Sequence, residues 1–333
     1  SAASDVYKRQ VLMTPGNYNT TLGVVRTVRE QLKPYHDIFI VEMGAKQPGD
    51  IREICDLVHP TIGIVTAVGE MHLETFHTVE NILHTKFELL DALPEDGLGV
   101  VNLDSQPIAA SDAPHDKRIV TYAVHNTAAD YLAVDINYTS KLTDFSVATR
   151  EGVRTGYATQ LAGRGNILNL LAAIVVADRL GVEEALQKRA MRRIEQIEHR
   201  LSINRASGGV TVIDDAYNSN PAGARMALEV LRDFAVDVGG RRIVVTPGFV
   251  ELGERQAELN RQFGRDMAKA CDIAVVVNLT NREAITQGLT EAGFPAECIH
   301  QTASFTEASA FLLRTLTQGD VILYENDLPD SFR

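Results

Sequence analysis

Two polar residues stand just beyond short apolar runs early in the chain: Glu42 follows Phe39-Ile40-Val41, and His72 comes shortly after the run 62–68. In open α/β sheets ligands bind in the crevice at the C-terminal ends of strands. If these runs are neighbouring strands, the carboxylate and the imidazole converge there. Such a pair, with open coordination positions, suits a divalent metal carrying phosphate oxygens. Taken singly, Glu42 reads more simply as a capping or ion-paired carboxylate, and His72 as an ordinary loop histidine. Lys86 is sharper. Val79, Ile82, Leu83, Phe87 and Leu90 mark the apolar stripe of a helix expected over residues 78–93, and Lys86 falls on that stripe. A desolvated ammonium must snorkel, find a carboxylate or lose its charge. A neutral amine can capture carbon dioxide as a carbamate, which is an anionic oxygen ligand. On the residues alone, snorkelling is the commoner outcome.

Gly163-Arg164-Gly165-Asn166-Ile167-Leu168-Asn169 opens another helix, with Asn166 and Asn169 on one face. Paired carboxamides suit a purine edge; a capping Asn plus a polar position accounts for them equally. Ile213-Asp214-Asp215-Ala216-Tyr217-Asn218-Ser219-Asn220-Pro221 is a strand end running into a polar loop, the form of a ligand loop and also of a helix cap. The sequence contains no G-x-x-x-x-G-K-[ST], no G-x-S-x-G and no H-E-x-x-H, and Gly163-Arg-Gly165 lacks the third glycine of a dinucleotide fingerprint. Serine hydrolase, zincin and standard NAD-enzyme readings therefore lack support.

The elements that must position these groups follow from periodicity. Residues 37–67 read strand, loop, helix, strand, a parallel βαβ unit. Strands are expected at 97–102, 118–123, 133–137 and 145–149, and helices at 166–180 and 183–197. The second helix carries Lys188, Arg189, Arg192 and Arg193, a cluster that reads as a solvated face. After Ser207-Gly208-Gly209 strands at 210–213, 243–246, 273–277 and 321–324 alternate with helices at 222–234, 255–270, 282–292 and 306–316. This is the rhythm of a doubly wound α/β domain. The boundary is expected close to His199.

Composition narrows the class. With 333 residues, of which 45% are apolar, two domains are expected and a large packed core is possible. The formal charge of −12 argues against nonspecific holding of a nucleic-acid backbone. Three widely spaced cysteines, Cys55, Cys271 and Cys298, argue against a disulfide framework and a zinc site, and fit a reducing cytoplasm. No apolar stretch approaches the ~20 residues of a membrane span, and no secretory leader is recognisable.

Taken in order, Thr14-Pro15-Gly16-Asn17-Tyr18-Asn19-Thr20, Val41-Glu42-Met43-Gly44-Ala45, His72-Leu73-Glu74, Lys86-Phe87-Glu88, Gly163 to Asn169, His199-Arg200-Leu201 and Asp214 to Asn220 resemble the Mur ligase family. Val250-Glu251-Leu252-Gly253 and Glu325-Asn326-Asp327-Leu328-Pro329-Asp330 add to the likeness. The resemblance implies a central ATPase-type parallel-sheet domain over 11–198 and a C-terminal Rossmann-like ligase domain over 199–333. It implies ATP-dependent amide ligation through an acyl phosphate, in the cytoplasm, by a monomer. The substrates would be UDP-N-acetylmuramoyl-tripeptide and D-alanyl-D-alanine. Glu42, His72 and a carbamylated Lys86 would hold magnesium and serve the chemistry. Asn166 and Asn169 would face adenine, Arg200 the phosphates, Asp215 the ribose and Tyr217 the nucleotide. Thr14, Asn17 and Asn19 would lie near the acceptor peptide. With the family in view, carbamylation of Lys86 moves ahead of snorkelling.

Departures accompany the likeness. The family's P-loop and UDP-sugar domain would lie upstream of Thr14, residues 1–10 match nothing at that place, and Gly165 stands where many members carry histidine. The expectation is an N-terminally truncated ligase, catalytically poor alone. The alternatives are another amide ligase of the family, of the folyl-polyglutamate or lipid-linked muramyl type, and a noncatalytic nucleotide-binding protein of the same fold.

Overall fold

The computed structural model describes residues 9–16, 18–69, 73–113, 116, 118–139, 142–196, 199, 201–216, 221–234, 236, 239–250 and 252–326. The chain divides into two compact units, one of Ser1–Leu132 with Leu171–Arg179, the other of Ala133–Leu170 with Leu180–Arg333.

In the first unit the elements run β1 (Val11–Met13), α1 (Thr21–Glu30), β2 (Ile38–Ile40), α2 (Asp50–Val58), β3 (Ile62–Val65), α3 (Leu73–Phe76), α4 (Val79–Asp91), β4 (Leu98–Asn102), α5 (Gln106–Ala109), β5 (Ile119–Ala123) and the start of β6 (Tyr131–Tyr138). β1 pairs with β2 in parallel, Val11 opposite Ile38 and Met13 opposite Ile40. A separate parallel ladder runs β3-β4-β5 and on to the first residues of β6. The expected pairing of β2 with β3 does not form. β2 pairs with β1 and β3 with β4, so β1-α1-β2 and β3-α4-β4 are βαβ units in place of the expected one, and β2 and β3 each have no second hydrogen-bonded neighbour among the described residues. Val11, Met13 and Ile40 are 50%, 64% and 55% exposed on the small ladder. The stripe of α4 packs as its periodicity demands: Ile82 and Leu90, with Val79, Leu83 and Phe87 at the margin, close on Val65, Val68 and Val101.

In the second unit follow β7 (Thr143–Thr149), β8 (Gly152–Thr159), α6 (Arg164–Arg179, begun in this unit), α7 (Glu184–Met191), β9 (Ser202–Arg205), β10 (Thr211–Asp215), α8 (Pro221–Asp233), β11 (Arg242–Thr246), α9 (Gln256–Met267), β12 (Ile273–Val277), α10 (Arg282–Glu291), β13 (Ile299–Thr302), α11 (Phe305–Thr315) and β14 (Val321–Glu325). The large sheet has the order β13-β12-β11-β14-β10-β9, parallel except for β9. Ile243, Val245, Ile273 and Val275 pack with Ala308 and Leu312 of α11. The intervening Val244, Ala274 and Val276 are as deeply buried and point to the opposite face, so the sheet is covered on both sides as doubly wound folds require. Because β14 inserts between β11 and β10, the chain reverses direction there, and the C-terminal ends of those three strands form a switch point of the kind where ligands bind.

Candidate functional site: two strand-end rims

At the C-terminal end of the small ladder three of the expected residues meet. Thr14 is buried; its backbone N–H donates to Ile40 O (3.0 Å), and its Oγ1 accepts the N–H of Glu42 (3.1 Å). Asn19 accepts the N–H of Gly44 on its backbone oxygen (2.7 Å) and donates Nδ2 to Glu42 Oε1 (3.1 Å). Thr20 then caps α1 through its side chain. The Glu42 carboxylate is exposed and takes this one hydrogen bond from the described residues, which leaves lone pairs for a hard cation. Asn17 and His72 lie outside the described residues.

α4 clamps the loop that follows Glu42. Ala45 joins the cluster that holds Phe87, and Glu88 accepts the N–H groups of Gly49 (2.9 Å) and Arg52 (2.9 Å), capping α2 from outside. Between these contacts and the core Lys86 is half-buried, has no hydrogen bond or ion pair with any described residue, and is pushed by desolvation below the usual lysine range.

Sequence reasoning missed the clamp on the β3–α3 loop, the segment that leads to His72. Asn102 and Ser105 are buried at the end of β4. Asn102 Nδ2 donates to Thr66 O (2.8 Å), its Oδ1 accepts the N–H of Asp104 (2.9 Å), and Ser105 Oγ accepts the N–H of Val68 (3.1 Å). The available signal was an Asn directly at a strand end followed by Asp and Ser.

The second rim belongs to the other unit. Asp214 Oδ1 accepts the N–H of Ala216, its Oδ2 meets His199 Nδ1 at 2.8 Å, and Asp215 Oδ1 accepts the N–H of Leu201 at 3.1 Å. The two acids thus fasten His199 and Leu201, whose φ are +59° and +52°. Gly163, at φ +90°, admits Leu201: a Cβ there would lie 2.5 Å from Leu201 Cδ1. Asn166, already inside α6, donates Nδ2 back to Ala162 O (2.6 Å) and so is not a cap that accepts a helix N–H, while Asn169 is exposed one turn on. Arg200 and Tyr217 lie outside the described residues. Among the described residues no group of three His, Cys, Asp or Glu side chains is placed to hold a metal, and no helix is long and apolar enough to cross a membrane.

Parallel α/β units whose polar side chains gather at C-terminal strand ends define a protein of the ligand-binding α/β class. The comparisons specify which: the chain belongs to the Mur ligase family, the family's middle domain matching residues 2–177 and its glutamate ligase domain matching residues 199–324. It is 28% identical to the UDP-N-acetylmuramoyl-tripeptide--D-alanyl-D-alanine ligase of Escherichia coli (strain K12) over 80% of this chain and 58% of that protein. It is 30% identical to the protein so named in Mycobacterium tuberculosis (strain CDC 1551 / Oshkosh), over 94% and 64%. The chain thus spans less than two thirds of these relatives. Among solved structures it is similar to MurF ligase from Thermotoga maritima in complex with ADP, with a TM-score of 0.76 and 25% identity over 96% of this chain and 70% of that one. The fold also matches MurF from Acinetobacter baumannii, with a TM-score of 0.77 and 24% identity over 97% and 68%.

Proposed function

We propose that the protein joins D-alanyl-D-alanine to UDP-N-acetylmuramoyl-tripeptide at the expense of ATP, in peptidoglycan precursor synthesis. The observation that carries the reading is the convergence of Thr14, Asn19 and Glu42 on one strand-end rim, in a chain whose relatives bear that name. The γ-phosphoryl group of ATP passes to the C-terminal carboxylate of the tripeptide, giving an acyl phosphate and ADP. The amine of D-alanyl-D-alanine attacks the acyl carbon, the amide forms, and phosphate leaves with the proton balance completed by solvent. The protein's task is to hold amine and anhydride together while excluding water.

Glu42 and His72 would hold magnesium, joined by Lys86 as its carbamate. The ion would supply charge neutralisation on phosphate oxygens. Support comes from the available Glu42 carboxylate and from the half-buried amine of Lys86, which has no ion pair among the described residues. Thr14, Asn17 and Asn19 line the acceptor-peptide side. Asn166, Asn169, Arg200, Asp215 and Tyr217 serve the nucleotide, with Asp215 on the ribose. The ligase domain begins near His199, as the family match from residue 199 supports. The working species is a cytoplasmic monomer.

The test is ligation by the chain alone and by the chain fused behind the P-loop-bearing N-terminal portion of a relative. ATP, magnesium, UDP-tripeptide and D-alanyl-D-alanine are supplied, and product is followed by mass spectrometry. Product from the fusion, lost on Glu42→Gln while the fold is retained, is expected. A fusion that makes no product with this pair refutes the assignment.

A further inference from the structure

The rim of the second unit is braced by carboxamides that the chemistry above leaves without a role. Asn260 of α9 is fully buried. Its Oδ1 accepts the N–H of Phe249 (2.8 Å), and its Nδ2 lies within donating distance of Phe249 O (2.9 Å), Gln256 O (2.9 Å) and Asn281 Oδ1 (3.2 Å). Asn281, also buried, donates Nδ2 to Pro247 O (3.0 Å). Between them Gly248 has φ +75°, and a Cβ there would stand 2.3 Å from Asn260 Oδ1. From the far side Asn326, itself at φ +66°, donates Nδ2 to Gly248 O (2.7 Å) and its backbone N–H to Asp215 O (3.2 Å). One polar chain therefore links α9 and α10, through the loop after β11 and the residue after β14, to Asp215 at the end of β10.

Burying two amides is costly unless every group is matched, and apolar side chains would fill the same volume without that demand. What carboxamides add is direction: they fix where the backbone of residues 247–249 stands. We infer that Asn260 is a positioning residue for the strand-end crevice of the second unit. With Asn281 and Asn326 it holds the 247–249 segment in register with Asp215 and so sets nucleotide affinity. The inference rests on the nucleotide reading of Asp215 given above.

Asn260→Ala and Asn326→Gly test it, the second keeping a backbone at ease with positive φ and removing the side-chain bridge to Gly248. The readouts are amide hydrogen exchange at Phe249 and calorimetric titration with ADP. Asn260→Ala is expected to speed Phe249 exchange and weaken ADP about tenfold, the scale of one lost buried hydrogen bond. Asn326→Gly is expected to weaken ADP several-fold with Phe249 still protected. If Asn260→Ala does not fold, Asn326→Gly alone decides. ADP affinity within about twofold of the parent in the folded variants overturns the inference by itself. A parent chain that binds no ADP overturns the nucleotide reading and the inference with it.

Discussion

Asn102 offers the sharpest test of how the first rim is built. The side chain is buried and makes two hydrogen bonds, one to the Thr66 carbonyl and one from the Asp104 N–H. Asn102→Ala removes both, while the exposed Thr66 and half-buried Asp104 can turn to water for part of the loss. Each lost bond costs about 1 kcal/mol net, so destabilisation of about 2 kcal/mol is expected. At roughly 2 kcal/mol per molar urea, the midpoint falls by about 1 M. The protein has no tryptophan, so tyrosine fluorescence and circular dichroism serve as probes. Asn102→Asp adds a second, independent arm. Its carboxylate can still accept from Asp104 but cannot donate to Thr66, so the variant should be as unstable as Asn102→Ala at neutral pH. It should recover in acid, where a protonated carboxyl regains a donor. A loss below about 0.5 kcal/mol for Asn102→Ala, the scatter of ordinary surface substitutions, would refute the claim that this side chain fixes the path toward His72.

Lys86→Met should raise stability at neutral pH. The folded state holds the lysine below its ordinary 10.5, so the unfolded chain binds more protons between the lowered value and 10.5. Parental stability therefore climbs with pH across that window, and the variant's urea midpoint should lose the climb. Asp320 behaves oppositely. Burial pushes its carboxyl up, but hydrogen bonds from Arg241 and Thr317 outweigh this and hold it below the carboxylate range. Its stabilisation is present above the unfolded value of 3.8 and is lost as pH falls through the folded value. Asp320→Asn should cost about 3 kcal/mol at pH 7, as breaking one side of a buried pair does, with the difference closing in acid titrations. Gly163→Ala should lower the melting temperature through a cost of about 1–3 kcal/mol, because φ +90° and the Leu201 methyl both oppose a Cβ. A melting temperature equal to the parent's would show that the turn relaxes freely.

The alternation of the second unit was legible because β10, β11, β12 and β14 are short apolar runs bounded by turn residues and were expected within a residue or two, whereas the parallel edge strand β13, Ile-His-Gln-Thr, carries too little apolar signal and was missed. β8 escaped notice because Gly152, Gly156 and Arg154 interrupt its apolar signal, and its order comes from pairing with β7. The expected helix to residue 197 stops at Met191, where the basic run continues as turn. The positions of Glu42 and Lys86 were readable because each breaks a local pattern, a charge at a strand end and an amine on an apolar stripe. Asn102 and Asn260 were not, and Asn326 was noted only as part of the 325–330 segment. A carboxamide at a strand end or in a helix looks ordinary in sequence, and its role depends on which distant backbone groups the topology brings to it.

Among the described residues β2 and β3 each leave one edge without a hydrogen-bonded neighbour, and together with the exposed Val11, Met13 and Ile40 these edges give the chain a colloidal character that its core does not predict. Open parallel edges with apolar flanks are templates for adding strands from another polypeptide. What opposes such addition between copies is the formal charge of −12, whose mutual repulsion acts at a distance. That repulsion reaches ~30 Å at 0.01 M salt but only ~10 Å at 0.1 M, whereas strand addition acts at contact and is hardly screened. Ionic strength thus becomes the variable that decides whether the edges stay solitary, and the acidity acts as the chain's guard against itself.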